Sequence, residues 1–173
     1  MLVATHLPSN TTTATASHIA KHVRGSLGCP TPTVQRAIEM MITLLEGEKT
    51  DLSDIECDFD RCDRFARQVY EIARTIPAGE TSTYGDIAGQ LGDKQLARRV
   101  GRVLGQNPLP IIVPCHRVIG ANQKLVGFSA PGGLDMKLKM LMIEGAKLGD
   151  EPGLFDGVPM KITTRTKTRS ERN

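Results

Sequence analysis

The chain has 173 residues, of which 39% are hydrophobic and 24% charged, ordinary proportions for a globular protein of one domain or two small ones. Aromatic residues make up only 3% and Trp is absent, which excludes a surface that stacks many bases on aromatic side chains. Four cysteines, without an apolar signal segment or a membrane-spanning stretch, favour a reduced intracellular protein over a secreted disulfide scaffold.

The formal charge of +3 gives only mild support for a polyanionic partner, but the charges are unevenly distributed. Acidic residues concentrate early, at Asp51, Asp54, Glu56, Asp58, Asp60 and Asp63. Basic residues concentrate later, at Lys94, Arg98, Arg99 and Arg102, and again after Met160. The opening segment is rich in Ser and Thr, as in organelle transit peptides, but its few Arg residues and missing amphipathic stripe disfavour that interpretation.

The first half of the chain predicts a lead-in followed by two helices. Residues 1–30 are expected to be disordered, because their Thr-rich run offers little to bury. Thr31 and Pro32 form a helix start, and Gly47 ends that helix within an abbreviated N-terminal domain over residues 31–63. The second helix stops at Pro77. Its apolar residues recur at helical spacing: Phe65, Val69, Ile72 and Ile76.

The segment after Gly79 predicts a helix-turn-helix. Thr83 can cap a short helix, Gly92 breaks it, and a further helix runs from Lys94 to about Gly105. Its predicted buried stripe is Leu96, Val100, Val103 and Leu104. That stripe leaves the basic side chains of Arg98, Arg99 and Arg102 directed away from the core.

A buried extended segment is predicted just before Cys115. Ile111–Val113 is a short apolar run that Pro114 stops. A last helix ends at Gly145, with the predicted apolar positions Leu134, Leu138, Leu141 and Met142. Residues 64–148 are expected to form one domain, and residues 149–173 a flexible basic tail.

The run Pro114-Cys115-His116-Arg117 is the strongest local signal for chemistry. A thiol flanked by His and Arg lies in a positive environment that favours the nucleophilic thiolate. The alternative is an inert buried Cys beside a hydrogen-bonded His. A thiol hydrolase with a direct Cys–His pair is disfavoured, because neighbours on an extended strand point to opposite faces. A zinc site is disfavoured because Cys29, Cys57 and Cys62 lack regular ligand spacing.

The wider pattern resembles the O6-alkylguanine-DNA alkyltransferases, the methylated-DNA–protein-cysteine methyltransferase family. The similarity extends from about Phe65 to Gly145, in the family's order and close to its spacing. The matching segments are Ile76-Pro77-Ala78-Gly79-Glu80-Thr81, Tyr84-Gly85, Ala97-Arg98-Arg99-Val100-Gly101, Asn107-Pro108, Pro114-Cys115-His116-Arg117-Val118-Ile119, Gly127-Phe128-Ser129 and Glu144-Gly145.

The resemblance implies roles for the residues around the thiol. Cys115 corresponds to the alkyl acceptor, and His116 and Glu144 to the pair that removes its proton through a water. Asn107 corresponds to the residue that braces the active-site turn, and Tyr84 to the tyrosine that hydrogen-bonds a ring nitrogen of the base. The remainder of the base pocket corresponds to Pro114, Val118, Gly127, Phe128 and Ser129. No cofactor or metal is implied.

The resemblance also implies a mode of DNA binding. Arg98 corresponds to the arginine finger that fills the gap left by a flipped base, which in-line attack on O6 requires. Ala97 and Gly101 form a small-residue face for a helix in the minor groove; close packing between helices is the other explanation of that face. Thr83, Arg99 and Arg102 complete the expected contacts with DNA. Without the resemblance, a solvated charge on the helix face would be the favoured explanation of Arg98.

We therefore expect an α/β (α+β) protein: a reduced N-terminal α/β domain and then a mainly helical domain with a helix-turn-helix and a buried active-site cysteine. The implied function is DNA repair by irreversible, stoichiometric transfer of the alkyl group of O6-alkylguanine, with O4-alkylthymine as a further substrate, to Cys115. The partner is double-stranded DNA and the protein a monomer without membrane association. It is expected in the cytoplasm, on the nucleoid in a bacterium, or in the nucleus of a eukaryote. The alternative is a lesion-binding module without transfer activity.

Overall fold

The computed structural model describes residues 1–9, 11–22 and 28–146. Six α-helices carry most of the regular structure of this part of the chain: α1 Thr12–His22, α2 Pro32–Leu45, α3 Arg64–Arg74, α4 Tyr84–Gln90, α5 Ala97–Gly105 and α6 Gly133–Ile143. Two short strands, β1 (Ser82–Thr83) and β2 (Val118–Ile119), pair in parallel, with Ser82 opposite Val118. The predicted mixed α/β class is confirmed. None of the helices described is long and apolar enough to cross a membrane.

The N-terminal segment differs from the predicted disordered lead-in. Leu2 forms an isolated parallel bridge with Cys57, and the Leu7 side chain is buried. Residues 12–22 form α1, most of which is exposed. The Thr-rich run was a poor guide, because the few apolar side chains around it have a surface of the later domain to pack against.

Local capping signals place α2 and α3 where the sequence predicts them. The Thr31 side chain accepts a hydrogen bond from the Val34 amide, and Asp63 does the same for Ala66. Between these helices, residues 46–63 form turns and loops with a single bridge at Cys57, so the expected reduced α/β domain contains a helix but no regular strand. The segment is short and acidic, which leaves it few residues suited to a strand.

Helices α4 and α5 form the predicted helix-turn-helix. Thr83 caps α4 in a capping box with Asp86, and the 3₁₀ turn Lys94–Leu96 leads directly into α5. Val100 and Leu104 of α5 are buried as expected, whereas Arg98, Arg99 and Arg102 are exposed. The Arg99 guanidinium lies over the Phe65 ring, 3.9 Å from its centroid, and so links α5 to α3.

The segment before Cys115 is a turn rather than the predicted extended strand. Ile111 has φ +79°, and Pro110 forms a bridge with Val113 across the turn. Cys115 then begins a 3₁₀ turn, Cys115–Arg117, that leads into β2. The apolar run is buried, as a strand would be. The prolines on both sides of it lack the backbone N–H groups that would pair it with a neighbouring strand.

The buried face of α6 also differs from the predicted one. Leu134 is 44% exposed and Met142 36% exposed, while Lys137, Met140 and Leu141 are buried. The helix is apolar on most sides, so periodicity alone did not select the face that packs. The predicted tail, residues 149–173, and the last two residues of the predicted 64–148 domain lie outside the described residues.

Candidate active site

Cys115 is held in place by the side chain of Asn107. The Asn107 amide nitrogen donates to the Cys115 sulfur at 3.3 Å and to the Val113 carbonyl at 2.8 Å. Its side-chain oxygen accepts from the Leu109 amide at 2.9 Å, which fixes the orientation of the Asn107 side chain. The sulfur therefore sits against a polar donor at the end of a tight turn.

Behind Cys115 lies a buried ionic cluster of His116, Arg117 and Glu144. His116 Nε2 and Glu144 Oε1 are 2.9 Å apart, and Arg117 donates to both Glu144 oxygens, from Nε at 2.9 Å and Nη2 at 2.8 Å. Arg117 Nη1 also donates to the Ile76 carbonyl. The other ring nitrogen of His116, Nδ1, is buried and has no hydrogen-bond partner among the described residues.

His116 and Arg117 do not supply the positive environment that the sequence predicts around the thiol. Burial raises the pKa of Cys115, and the hydrogen bond from Asn107 opposes that shift only in part. Burial also lowers the pKa of His116, so its ring is neutral near pH 7, and the charge of Arg117 is paired with Glu144. Burial would raise the pKa of Glu144, but hydrogen bonds from His116 and Arg117 hold it at about 2. The resting thiol is therefore protonated and needs a base.

Lys137 is a site residue that sequence reasoning missed. Its side chain is fully buried, and its ammonium donates to the carbonyls of Val118 at 2.6 Å and Val126 at 3.2 Å. Burial lowers the pKa of Lys137 to about 8, and its charge acts to lower the pKa of Cys115. The signal in the sequence was its spacing, because Lys137, Met140, Leu141 and Glu144 recur at three- and four-residue intervals on one helix face.

Tyr84 joins this lysine to a cavity beside the thiol. The Tyr84 hydroxyl is 3.3 Å from the Val126 carbonyl and 3.5 Å from the Lys137 ammonium. The cavity, of about 510 Å³, is lined by residues from α4, α5 and the loop before α6 together with the thiol: Tyr84, Arg98, Gly101, Arg102, Leu104, Gly105, Cys115, Val126, Gly127, Phe128 and Ser129. We refer to it as the smaller cavity, because a second cavity that also reaches Cys115 has a volume of about 800 Å³.

The structure thus brings together most of the residues predicted for the site. Gly101 lies beside the Tyr84 ring, and Ser129 donates to the Gly105 carbonyl at 2.7 Å. Pro114 and Val118 are buried, and Val118 contributes its carbonyl to Lys137. Three predicted DNA contacts do not line the smaller cavity: Thr83 caps α4, Ala97 begins α5, and Arg99 covers Phe65.

Comparisons with known proteins identify the family to which the chain is related. Residues 64–146 match the model of the DNA-binding domain of 6-O-methylguanine DNA methyltransferase. The methylated-DNA–protein-cysteine methyltransferase of Mycolicibacterium paratuberculosis is 46% identical over 120 residues, which are 69% of this chain and 70% of that protein. The homologue of Methanosarcina acetivorans is 49% identical over 82 residues, 47% of this chain and 51% of that protein.

A solved structure shows the same fold. The crystal structure of Mycobacterium tuberculosis O6-methylguanine methyltransferase superimposes with a TM-score of 0.61 at 38% identity, covering 83% of this chain and 81% of that one. The chain belongs to the methylated-DNA–protein-cysteine methyltransferase family, as its motifs predict. A second crystal structure, M. tuberculosis OGT in complex with DNA, has a TM-score of 0.56 at 43% identity and covers 62% of this chain and 63% of that one.

Proposed function

We propose that this protein repairs DNA by moving the alkyl group of O6-alkylguanine onto Cys115, once per molecule and irreversibly. The observation that carries the proposal is the position of the Cys115 sulfur, which borders the smaller cavity and accepts a hydrogen bond from Asn107, in the residue directly before His116 of the buried His116–Glu144 pair. Double-stranded DNA is the proposed partner of a monomer that needs no cofactor. The alkyl ether of O4-alkylthymine has the same chemistry and is a second proposed substrate.

The thiol is activated by its buried neighbours. His116 uses Nε2 to bind Glu144, so Nδ1 is the nitrogen left to receive the thiol proton, through one bridging water. Glu144 stabilises the imidazolium that forms. The thiolate then attacks the alkyl carbon in line with the departing oxygen, and the buried charge of Lys137 favours the thiolate over the thiol. Asn107 keeps the sulfur in one position throughout.

The leaving guanine develops negative charge that a nearby donor must neutralise. In the proposed complex the base is flipped into the smaller cavity and Tyr84 donates to its ring nitrogen. Burial raises the pKa of Tyr84, so its hydroxyl keeps the proton that it would donate, and the Lys137 ammonium donates to the same hydroxyl oxygen at 3.5 Å. Arg98 and Arg102, on the rim of the same cavity, face the DNA in this arrangement.

The alternative, a module that binds the lesion without transfer, is disfavoured by the thiol itself. A binding module needs the cavity and the basic helix but has no use for a nucleophile held by Asn107 beside a buried base.

The proposal is tested by intact-mass measurement after incubation with duplex DNA containing one O6-methylguanine. We expect the protein to gain one methyl group, located at Cys115 by peptide mapping, and the DNA to contain unmodified guanine. Cys62, which is also partly buried, should stay unmodified. Binding to the lesion without any gain in mass would favour the non-transferring module.

A second experiment separates Arg98 from Arg102, which lie one turn apart on α5. If Arg98 occupies the space left by the flipped base, Arg98→Ala should slow transfer from duplex DNA far more than transfer from a single strand or the free base. Arg102→Ala is the matched control. As a phosphate contact, Arg102 should affect binding to every duplex alike, and its loss should reduce the salt slope by about one. If Arg98→Ala is equally slow on all three substrates, the finger assignment is wrong.

A further inference from the structure

The turn that leads to Cys115, residues 108–114, has few backbone donors of its own. Three of its seven residues are prolines, which lack an N–H group: Pro108, Pro110 and Pro114. Within the turn, the Val113 amide donates to the Leu109 carbonyl at 2.8 Å. The carbonyls of the first two prolines receive their hydrogen bonds from a distant part of the chain.

Thr5, in the N-terminal segment, supplies both of these donors. Its amide donates to the Pro108 carbonyl at 3.0 Å, and its hydroxyl donates to the Pro110 carbonyl at 2.7 Å. The hydroxyl and that carbonyl are 105 residues apart in the sequence. On one side of Thr5 the backbone of Leu2 forms a bridge with a later segment, and on the other side the Leu7 side chain is buried. The segment that carries Thr5 is therefore itself held in place.

The backbone is strained directly after the second of these carbonyls. Ile111 has φ +79°, a conformation that a β-branched residue adopts only at a steric cost. Such a residue keeps its conformation only where the surrounding contacts determine it. The Pro110 carbonyl belongs to the peptide group that precedes Ile111, so the hydrogen bond from the Thr5 hydroxyl fixes the plane from which the strained φ is measured.

The other end of the same turn carries the nucleophile. The Asn107 side chain donates to the Val113 carbonyl at 2.8 Å and to the Cys115 sulfur at 3.3 Å, so a shift of the turn moves the sulfur relative to its donor. The hydrogen bond from Asn107 lowers the pKa of Cys115, against the effect of burial. The position of the turn therefore bears on how readily the thiol ionises.

We propose that Thr5 is a positioning residue for alkyl transfer, because its hydroxyl holds the peptide group before Ile111 in the strained conformation that keeps the Cys115 sulfur against Asn107. The inference rests on the proposed function. Thr5 lies outside residues 64–146, which match the family model. It acts through the turn, so its loss should slow transfer without weakening the binding of DNA, whose proposed contacts lie on α5 and the rim of the smaller cavity.

The first test removes the hydroxyl and then restores it. Thr5→Val keeps the shape of the side chain without its donor, and Thr5→Ser keeps the donor. Single-turnover transfer from a duplex with one O6-methylguanine, at increasing protein concentration, separates Kd from the maximal rate. We expect Thr5→Val to lower the maximal rate by about tenfold at an unchanged Kd, and Thr5→Ser to restore most of it. Thr43→Val, which removes a hydroxyl-to-carbonyl hydrogen bond within α2, is the matched control and should transfer as wild type.

The second test needs no DNA. The rate at which iodoacetamide alkylates Cys115 is measured against pH, with the modified residue located by peptide mapping. The thiolate is the reactive form, and the hydrogen bond from Asn107 favours it. The profile of Thr5→Val should therefore shift to higher pH, and those of Thr5→Ser and Thr43→Val should match the wild type. A residue that only supported the fold would lower the unfolding temperature without shifting this profile.

The outcomes distinguish the two proposals. A wild-type maximal rate or an unshifted iodoacetamide profile in Thr5→Val overturns the inference about Thr5. A wild type that transfers no methyl group overturns the proposed function instead, and the iodoacetamide profile then decides on Thr5 alone. Thermal unfolding shows whether each variant folds. Thr5→Ala, which removes the hydroxyl without placing a methyl group against the Pro110 carbonyl, takes the place of Thr5→Val if the valine variant does not fold.

Discussion

Replacing Cys115 with serine is expected to abolish alkyl transfer while leaving binding to lesion-containing DNA largely intact. A serine hydroxyl is a far weaker acid than a thiol, and the buried His116–Glu144 pair cannot ionise it to a useful extent. The proposed DNA contacts lie on α5 and the rim of the smaller cavity, and the substitution changes neither. The hydroxyl can also keep the hydrogen bond from Asn107.

Transfer of a radiolabelled methyl group and a mobility-shift assay on the same duplex measure the two properties separately. Cys29→Ser is the matched control, because Cys29 is exposed and distant in sequence from the site. Its transfer rate should equal that of the wild type. A Cys115→Ser protein that still removed methyl groups from DNA would show that another residue is the acceptor.

Replacing Glu144 with glutamine is expected to lower the free energy of unfolding by about 3 kcal/mol or more, and to slow transfer in the protein that remains folded. The substitution leaves the buried guanidinium of Arg117 without its counter-charge, and breaking a buried pair in this way costs about 3–5 kcal/mol. His116 also loses the carboxylate that would stabilise its protonated form. Urea denaturation and single-turnover kinetics measure the two effects.

The pH dependence of stability separately tests whether Glu144 is ionised and paired with Arg117 and His116 in the folded protein. The folded-state pKa of Glu144 is about 2, below its ordinary value of 4.5. The contribution of ionised Glu144 to the free energy of unfolding is therefore complete above pH 4.5 and is lost as the pH falls towards 2. The Glu144→Gln variant should lose less stability over that range than the wild type. Glu71→Gln, on the exposed face of α3, is the control and should behave as wild type. Equal acid sensitivity in all three proteins would contradict the assignment.

The sequence predicted those parts of the fold that local signals determine. Thr31, Asp63 and Thr83 cap the helices they precede, because a side-chain oxygen close to free backbone amides needs no distant partner. The helix-turn-helix follows from such a cap and from the break at Gly92. The resemblance supplied the candidate site, and the structure brings Cys115, Asn107 and Tyr84 together as that resemblance implies.

The remainder depends on contacts between distant segments, which no local pattern contains. Lys137 was missed because a lysine is ordinarily exposed, and its burial depends on acceptors from distant segments, the carbonyls of Val118 and Val126 and the Tyr84 hydroxyl. The prediction that His116 and Arg117 supply positive charge to the thiol was wrong, because Arg117 is paired with a carboxylate 27 residues further along the chain; that charge comes from Lys137 instead. The order of the N-terminal segment was missed for the same reason, since Thr5 donates hydrogen bonds to the carbonyls of Pro108 and Pro110.

Because Gly79 has no side chain, the turn before β1 can approach the backbone of Glu144 closely. Its φ is +85°, and a Cβ atom there would lie 2.9 Å from the carbonyl oxygen of Glu144. The turn that leads into β1 and α4 therefore touches the backbone of the residue that holds His116 and Arg117. Any side chain at this position would displace either the entry to the proposed DNA-binding helices or the carboxylate behind the thiol. At this turn the backbone before the proposed DNA-binding helices and the backbone of Glu144 are packed so closely that there is no room for even a methyl group.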